Sequence, residues 1–221
     1  PPRIHCSNQE NTVIFDVIRE LRIWFGDKTA TLDGDGVPGP IKKAMAKAEP
    51  DERLKLFLSW AKKESIDQVR VNGGTTDRVI ELINILTPVH LNVDCVVTAG
   101  LIAGLAPAVA ARLQSLTLKN VEPELDLAGL ERLSKLESLV LEAYVLDPTR
   151  LKKAPASLTS LGLKSSRPLD LTAVVIPSSV QTLELSSQET ITLPRNAPSL
   201  QSLCVFVGQG IISGLERVAG M

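Results

Sequence analysis

One spacing governs what this chain can fold into: an apolar residue, two variable residues, Leu, one variable residue, then Leu or Val. It is met at Leu113-Leu116-Leu118, Leu136-Leu139-Leu141, Leu158-Leu161-Leu163, Val180-Leu183-Leu185 and Leu200-Leu203-Val205. Successive starts lie 23, 22, 22 and 20 residues apart, and the tetrapeptide LQSL itself stands at both Leu113 and Leu200. Two weaker copies extend the register upstream. Ile66-Val69-Val71 fits fully, and Pro88-Leu91-Val93 fits with Pro in the first slot, at steps of 22 and 25. Seven units therefore span Ile66 to about Met221. A fixed period of this length implies stacked units, each covering the apolar side of its neighbour. The alternation of apolar and variable residues within each unit predicts a short strand.

Composition agrees with stacked aliphatics. Only seven of 221 residues are Phe, Trp or Tyr, so the core must be filled by Leu, Val, Ile and Ala. The net charge of −1, with Lys and Arg spread along the chain, argues against nucleic acid or an anionic membrane as the main partner. Cys6, Cys95 and Cys204 fit no zinc motif and no disulfide framework, and read as free thiols in a reducing compartment. The longest apolar stretch, Val96–Ala111, is too short for a membrane span and is interrupted by Pro107. Without a starting Met or a signal peptide, the chain is expected to be a piece of something longer.

Ahead of the repeats, residues 1–10 look like a tail. Residues 11–26 read as a helix between Asn11 as N-cap and Gly26 as stop, with Ile14, Val17, Ile18, Leu21, Trp24 and Phe25 on one stripe. A Gly- and Pro-rich loop is expected over 27–40, then a short helix over 41–48 and another from Pro50. Residues 1–64 are thus expected to form a helical cap over the exposed end of the first repeat, and residues 65–221 the repeat domain. The return segments Thr75–Leu86, Thr98–Leu113 and Leu127–Leu136 have helical character. The later ones, Leu146–Ser157, Leu169–Ser179 and Leu193–Ser199, are too short and Pro-rich for a full helix and are expected as turns or extended chain.

Motif and period resemble the leucine-rich repeats, which run about 20–29 residues per unit. The resemblance implies an α/β leucine-rich-repeat solenoid of about seven repeats, with parallel strands on a concave face. The family's usual Asn, three residues past the last strand Leu, is missing: Val121, Tyr144, Ser166 and Gln188 stand there, so these turns must satisfy their backbone otherwise. The stretches APASLTSLGL, IPSSVQTLEL and APSLQSLCV place Pro just before the strand. This resembles the short repeats of bacterial type III secreted effectors, in which a helical block precedes the repeats, here RELRIWFGD and EPDERLKLFLSWA. That resemblance implies virulence proteins injected into the host cell cytoplasm. Some carry a separate ubiquitin-ligase domain after the repeats. No such domain fits within these residues, so a ligase is implied only for a longer protein.

No catalytic or metal constellation stands out. Counted from Asp33, a calcium-loop reading puts Pro38 where Gly and Ala44 where Glu are required. The Gly73-Gly74 pair has no Lys beside it and reads as a strand-to-helix turn capped by Thr76 or Asp77. His90 near Cys95 lacks the oriented third group of a nucleophile pair and reads as a surface histidine beside a structural thiol. No catalytic residue, metal ligand or cofactor is therefore expected.

The informative feature is the variable columns, expected on the concave face. The first holds Gln68, His90, Ser115, Ser138, Ser160, Thr182 and Ser202, mostly hydroxyls that parallel strands tolerate and that can bond one another. The second holds Arg70, Asn92, Thr117, Val140, Gly162, Glu184 and Cys204. The third, just past the strand, holds Asn72, Asp94, Lys119, Glu142, Lys164, Ser186 and Phe206. Its alternating charge is either self-satisfying or a docking strip. Phe206 reads equally as an anchor for a partner and as a residue packed under a following cap. The expected partner-binding set is Arg70, His90, Asn92, Asp94, Lys119, Glu142, Lys164, Glu184 and Phe206. The expected function is recognition of a host protein. The alternatives are the substrate-recognition part of a ubiquitin ligase, or an enzyme whose site is not recognised.

Overall fold

The computed structural model describes residues 3–5, 14–16, 20–25, 30–34, 39–47, 50–61, 63, 66–72, 76–97, 100–122, 127, 129–151 and 154–217. In chain order, β1 (Arg3–His5), β2 (Ile14–Asp16), β3 (Glu20–Phe25) and β4 (Ala30–Gly34) come first. Helices α1 (Gly39–Lys47) and α2 (Pro50–Ala61) follow. Then come β5 (Gln68–Asn72), α3 (Thr76–Leu86), β6 (His90–Val97), α4 (Pro107–Ala110), β7 (Ser115–Val121), β8 (Ser138–Ala143) and β9 (Ser160–Ser165). The chain continues through β10 (Leu169–Asp170), β11 (Thr182–Ser187), β12 (Ile191–Thr192), β13 (Ser202–Val207) and β14 (Ile212–Ser213). Among the described residues, no helix is long and apolar enough to cross a membrane.

The fold is α/β around a mostly parallel sheet, as the periodicity predicts. The nine-stranded main sheet has the order β13-β11-β9-β8-β7-β6-β5-β3-β4, so each repeat strand pairs with the next in the chain. Register follows the motif: Val69, Leu91, Leu116, Leu139, Leu161, Leu183 and Leu203 form one row. Val71, Val93, Leu118, Leu141, Leu163, Leu185 and Val205 form the next. These inward rows are fully buried except at Leu203 and Val205, which are only partly covered. Because side chains alternate across a strand, a one-residue slip would turn both rows to solvent, which fixes the register.

The last four repeat strands, β8, β9, β11 and β13, are entered by the same turn. The amides of Leu136, Leu158, Val180 and Leu200 donate to the carbonyls of Leu133, Pro155, Pro177 and Ala197, three residues back. The return segments differ. α3 spans Thr76–Leu86 as expected. The stretch expected as a helix over Thr98–Leu113 instead runs in turns from Gly100 to Leu105, and among its described residues only the four of α4 are α-helical. Asn84 holds it in that path, donating from Nδ2 to the Gly104 carbonyl at 3.0 Å and accepting from the Ala106 amide at 2.7 Å. Leu127–Leu136 contains only a 3-10 turn at Leu130–Arg132. Among the described residues, the last three returns are turns and extended chain, with a 3-10 turn at Pro148–Arg150 in the first of them. There β10, β12 and β14 form a second parallel sheet, with Leu169, Ile191 and Ile212 in register.

The N-terminal block departs from expectation. The helix read over 11–26 is strand where it is described: β3 pairs parallel with β5, Glu20 opposite Gln68 and Trp24 opposite Asn72, and β4 pairs antiparallel with β3. β1 and β2 pair within the expected tail and helix, and β4 occupies the expected loop. The helical stripe was real, but Ile14, Phe15, Ile23, Trp24 and Phe25 are also strand formers. The first repeat strand presents a row of unpaired backbone groups, and a strand meets that need where a helix cannot. The helices expected after residue 40 are present as α1 and α2, and Phe57 of α2 is fully buried in the core.

In two of the turns, those at Ser166 and Gln188, a serine one position earlier ties the chain. Ser187 Oγ donates to the Arg167 carbonyl at 2.8 Å and accepts from the Glu189 amide at 3.0 Å. Ser165 Oγ stands in the same relation to the Tyr144 carbonyl and the Arg167 amide, at 3.4 and 3.2 Å. Both serines are buried, and each links one turn to the preceding one. Ser187→Ala should therefore cost about 1–3 kcal/mol, because a part-buried carbonyl and amide lose their partner together. Urea unfolding measures it, and an unchanged midpoint would show that the hydroxyl does not tie the turns.

Candidate functional site

The outward face of the main sheet carries the variable columns in the predicted register. Gln68, His90, Ser115, Ser138, Ser160, Thr182 and Ser202 form one row. Arg70, Asn92, Thr117, Val140, Gly162, Glu184 and Cys204 form the second. In the third, Asn72 faces Asp94 and Asp94 faces Lys119, while further along Glu142 faces Lys164 and Ser186 faces Phe206. Apart from Gly162, these residues are half-buried or exposed, while the apolar residues between them on β5, β8 and β11 are core.

The charges on this face pair with one another. Lys119 Nζ lies 3.9 Å from Glu142 Oε2, and Lys164 Nζ lies 2.7 Å from Glu184 Oε1. Asp94 Oδ1 accepts from Asn120 Nδ2 at 2.7 Å. Asn120 sits at a φ of 54°, a left-handed conformation that Asn tolerates better than most residues. Half-exposed pairs of this kind contribute roughly 0–1 kcal/mol each. Their effect is to leave Lys119, Glu142, Lys164 and Glu184 neutralised in pairs rather than presented singly.

Three features interrupt this even surface. Gly162 is buried under Val140: a Cβ at Gly162 would lie 3.1 Å from Val140 Cγ2. At one end, Phe206 is 57% exposed on β13, beside the exposed Cys204. Toward the other end, Arg70 Nε and Asn92 Oδ1 are buried and have no hydrogen-bond partner. His90 is exposed. The Cys95 side chain, read as a structural thiol near His90, lies outside the described residues, as do Cys6 and the Gly73-Gly74 turn. Among the described residues, no three of His, Cys, Asp and Glu converge to hold a metal ion.

Sequence reading missed a group at the strand exits. The Arg167 guanidinium lies 5.0 Å from the centroid of the Tyr144 ring, and its Nη1 donates to Glu189 Oε1 at 3.1 Å. The Glu189 hydrogen bond, then Tyr144, hold the Arg167 pKa above its usual value. Tyr144 is 63% exposed, so this stack adds an aromatic surface beside the face. Its signal was legible in retrospect: Tyr144, Arg167 and Glu189 stand three, four and four residues past the last Leu of their strands.

Set beside family models, curated proteins and solved structures, the chain matches none of them.

Proposed function

We propose that this chain is a leucine-rich-repeat solenoid whose outward strand face recognises a partner protein. On the effector resemblance, the partner is a host protein met in the host cytoplasm. The observation that carries the reading is the pairing of a regular face of seven repeat strands with an aromatic left standing on it. At about 4.8 Å per strand, six spacings give a face roughly 29 Å wide, the scale of a protein–protein contact. Its charges are largely spent on one another, so Phe206 at one end is the side chain best able to anchor a partner by burial.

Affinity capture from a eukaryotic lysate tests this, comparing the protein with Phe206→Ala. The variant loses little folded-state packing because the ring is already exposed. A specifically retained protein should bind the variant at least about 30-fold more weakly, the effect of losing an anchor worth roughly 2 kcal/mol. Equal retention by both forms would remove the face from the recognition role.

A further inference from the structure

The main sheet ends differently on its two sides. At the N-terminal end the first repeat strand, β5, is covered by β3, and β3 in turn takes β4 as an antiparallel neighbour. At the other end, among the described residues, β13 pairs with β11 alone. The burial of the inward rows fails there: Leu203, Val205 and Val207 are only partly covered, and Phe206, Ile211 and Leu215 are exposed. The ladder shows which backbone groups are left over. The Ser202 and Gly208 amides donate to the Gln181 and Ser187 carbonyls on the β11 side. Peptide groups alternate sides along a strand, so Leu203, Val205 and Val207 turn their N–H and C=O to the open side. Solitary edges are normally protected by Lys, Pro, a bulge or short length. β13 is six residues, Ser-Leu-Cys-Val-Phe-Val, in unbroken register with β11, and has none of these. From Ala197 to Leu215 the whole last turn holds no Asp, Glu, Lys, Arg or His.

We propose that this end docks a second copy of the chain, through antiparallel pairing of β13 with β13 about a two-fold axis. Backbone and charge both select that occupant. Antiparallel strands exchange two hydrogen bonds wherever edge-facing residues stand opposite each other. With Val205 opposite Val205 of the second copy, Leu203 falls opposite Val207 and Val207 opposite Leu203. Every edge-facing residue of β13 is then used, in about six hydrogen bonds. Moving the axis to Cys204 sets Val207 opposite Gln201, whose amide is already given to Gln181. The Val205 register also sets inward side chains beside inward ones, which closes the partly covered end of the core. Identical copies bring each surface charge near a two-fold axis towards its own like, so an end turn without charge associates with itself free of repulsion. An antiparallel neighbour at the end of this sheet is the arrangement that β4 already makes with β3. The axis stands perpendicular to the sheet, so the two outward faces run on as one, with the Phe206 residues diagonal neighbours roughly 7–8 Å apart. This inference does not rest on the outward face being a recognition surface.

Sedimentation equilibrium of the full chain over about 1–500 μM tests this, a range suited to a small interface. The mass should rise from monomer to dimer. Val205→Pro removes the N–H nearest the axis from both copies and leaves the donors to β11 in place. It should weaken the dimer at least about 30-fold. Phe206→Lys changes an exposed side chain, so it stays informative if the proline disturbs folding. It sets two like charges diagonally across the axis and should weaken the dimer at least about tenfold. Oxidised glutathione reads the register. Residue 206 stands opposite Cys204 of the second copy in a non-hydrogen-bonded pair, with Cα atoms about 4.5 Å apart, inside the span of a disulfide. Phe206→Cys should therefore give a covalent dimer faster than the unaltered chain, its bridge to Cys204 identified by peptide mass. Faster cross-linking of the unaltered chain through Cys204 alone overturns the Val205 register. A monomer at every concentration overturns the proposal and leaves this edge to a strand of different origin. A dimer that both variants leave unchanged overturns its placement at β13. Val205→Pro keeps the outward side chains, so loss of the dimer with retained capture of a partner, or the reverse, separates this inference from the recognition reading.

Discussion

Leu161→Ala is expected to lower the free energy of unfolding by about 3 kcal/mol, seen as a lower urea midpoint. Leu161 is 1% exposed in the middle of its row, stacked between Leu139 and Leu183. Truncation removes the transfer free energy of the side chain and leaves a void that neighbours on both sides cannot fill, because each is held in register by its own ladder. The comparison is Leu203→Ala at the end of the same row. Leu203 is only partly buried, so the same truncation there should cost less than half as much. Equal losses at the two positions would mean that burial in this row does not rise from the end of the sheet to its middle. A shallower denaturant slope in Leu161→Ala would carry a second message: the stack has split into separately unfolding segments.

The second large effect is at Gly210. A Cβ built there would lie 2.3 Å from the Glu189 carbonyl carbon, 2.4 Å from its oxygen and 2.6 Å from the Thr190 amide nitrogen. All three are backbone, so no rotamer change relieves the contact. Gly210→Ala should push the last turn off the one before it, at a cost of about 2–3 kcal/mol. The damage is local and has an address. The amides of Ile191 and Leu193 donate to the carbonyls of Ile211 and Ser213, whereas those of Leu169 and Leu171 donate one turn earlier, to Thr190 and Thr192. Hydrogen exchange should lose protection at Ile191 and Leu193 and keep it at Leu169 and Leu171. Loss at all four would mean that the turns unfold together, and loss at none would mean that the close approach relaxes without consequence.

The repeat strands and their register were legible because the motif records burial directly: each fixed Leu or Val is a core position and each variable slot faces out. The strands of the N-terminal block were not. Residues 14–25 satisfy a helical stripe and also carry strand-forming side chains, and the deciding fact is the open edge of β5, which belongs to another part of the chain. The missing Asn was correctly noticed, but its replacement lies one residue earlier, at Ser165 and Ser187, where a serine in isolation signals nothing. On the outward face the columns were legible, and which charge meets which was not fixed by them. Reading down a column, Lys164 neighbours Glu142; in the structure it pairs diagonally with Glu184, while Lys119 takes Glu142. Side-chain reach across strands, which spacing does not encode, makes that choice. The unmet atoms of Arg70 and Asn92 are of the same kind: their residue types were visible as candidates, but the lack of a partner is a property of the packed face.

The unbroken strand order from β5 to β13 has a consequence for how such a chain can change over generations. Each repeat strand hands its hydrogen bonds to the next in nearly the same register, and successive turns are joined by similar entry turns. Duplicating one segment of 20 to 22 residues, or deleting one, therefore leaves its neighbours with equivalent donors, acceptors and apolar rows. The span of the face becomes a heritable variable that unequal recombination can alter in steps of one strand, about 4.8 Å. The flanking elements and the chemistry of each column need not be reinvented. Reach and selectivity can then be selected separately, the first through the number of turns and the second through single residues in the variable slots.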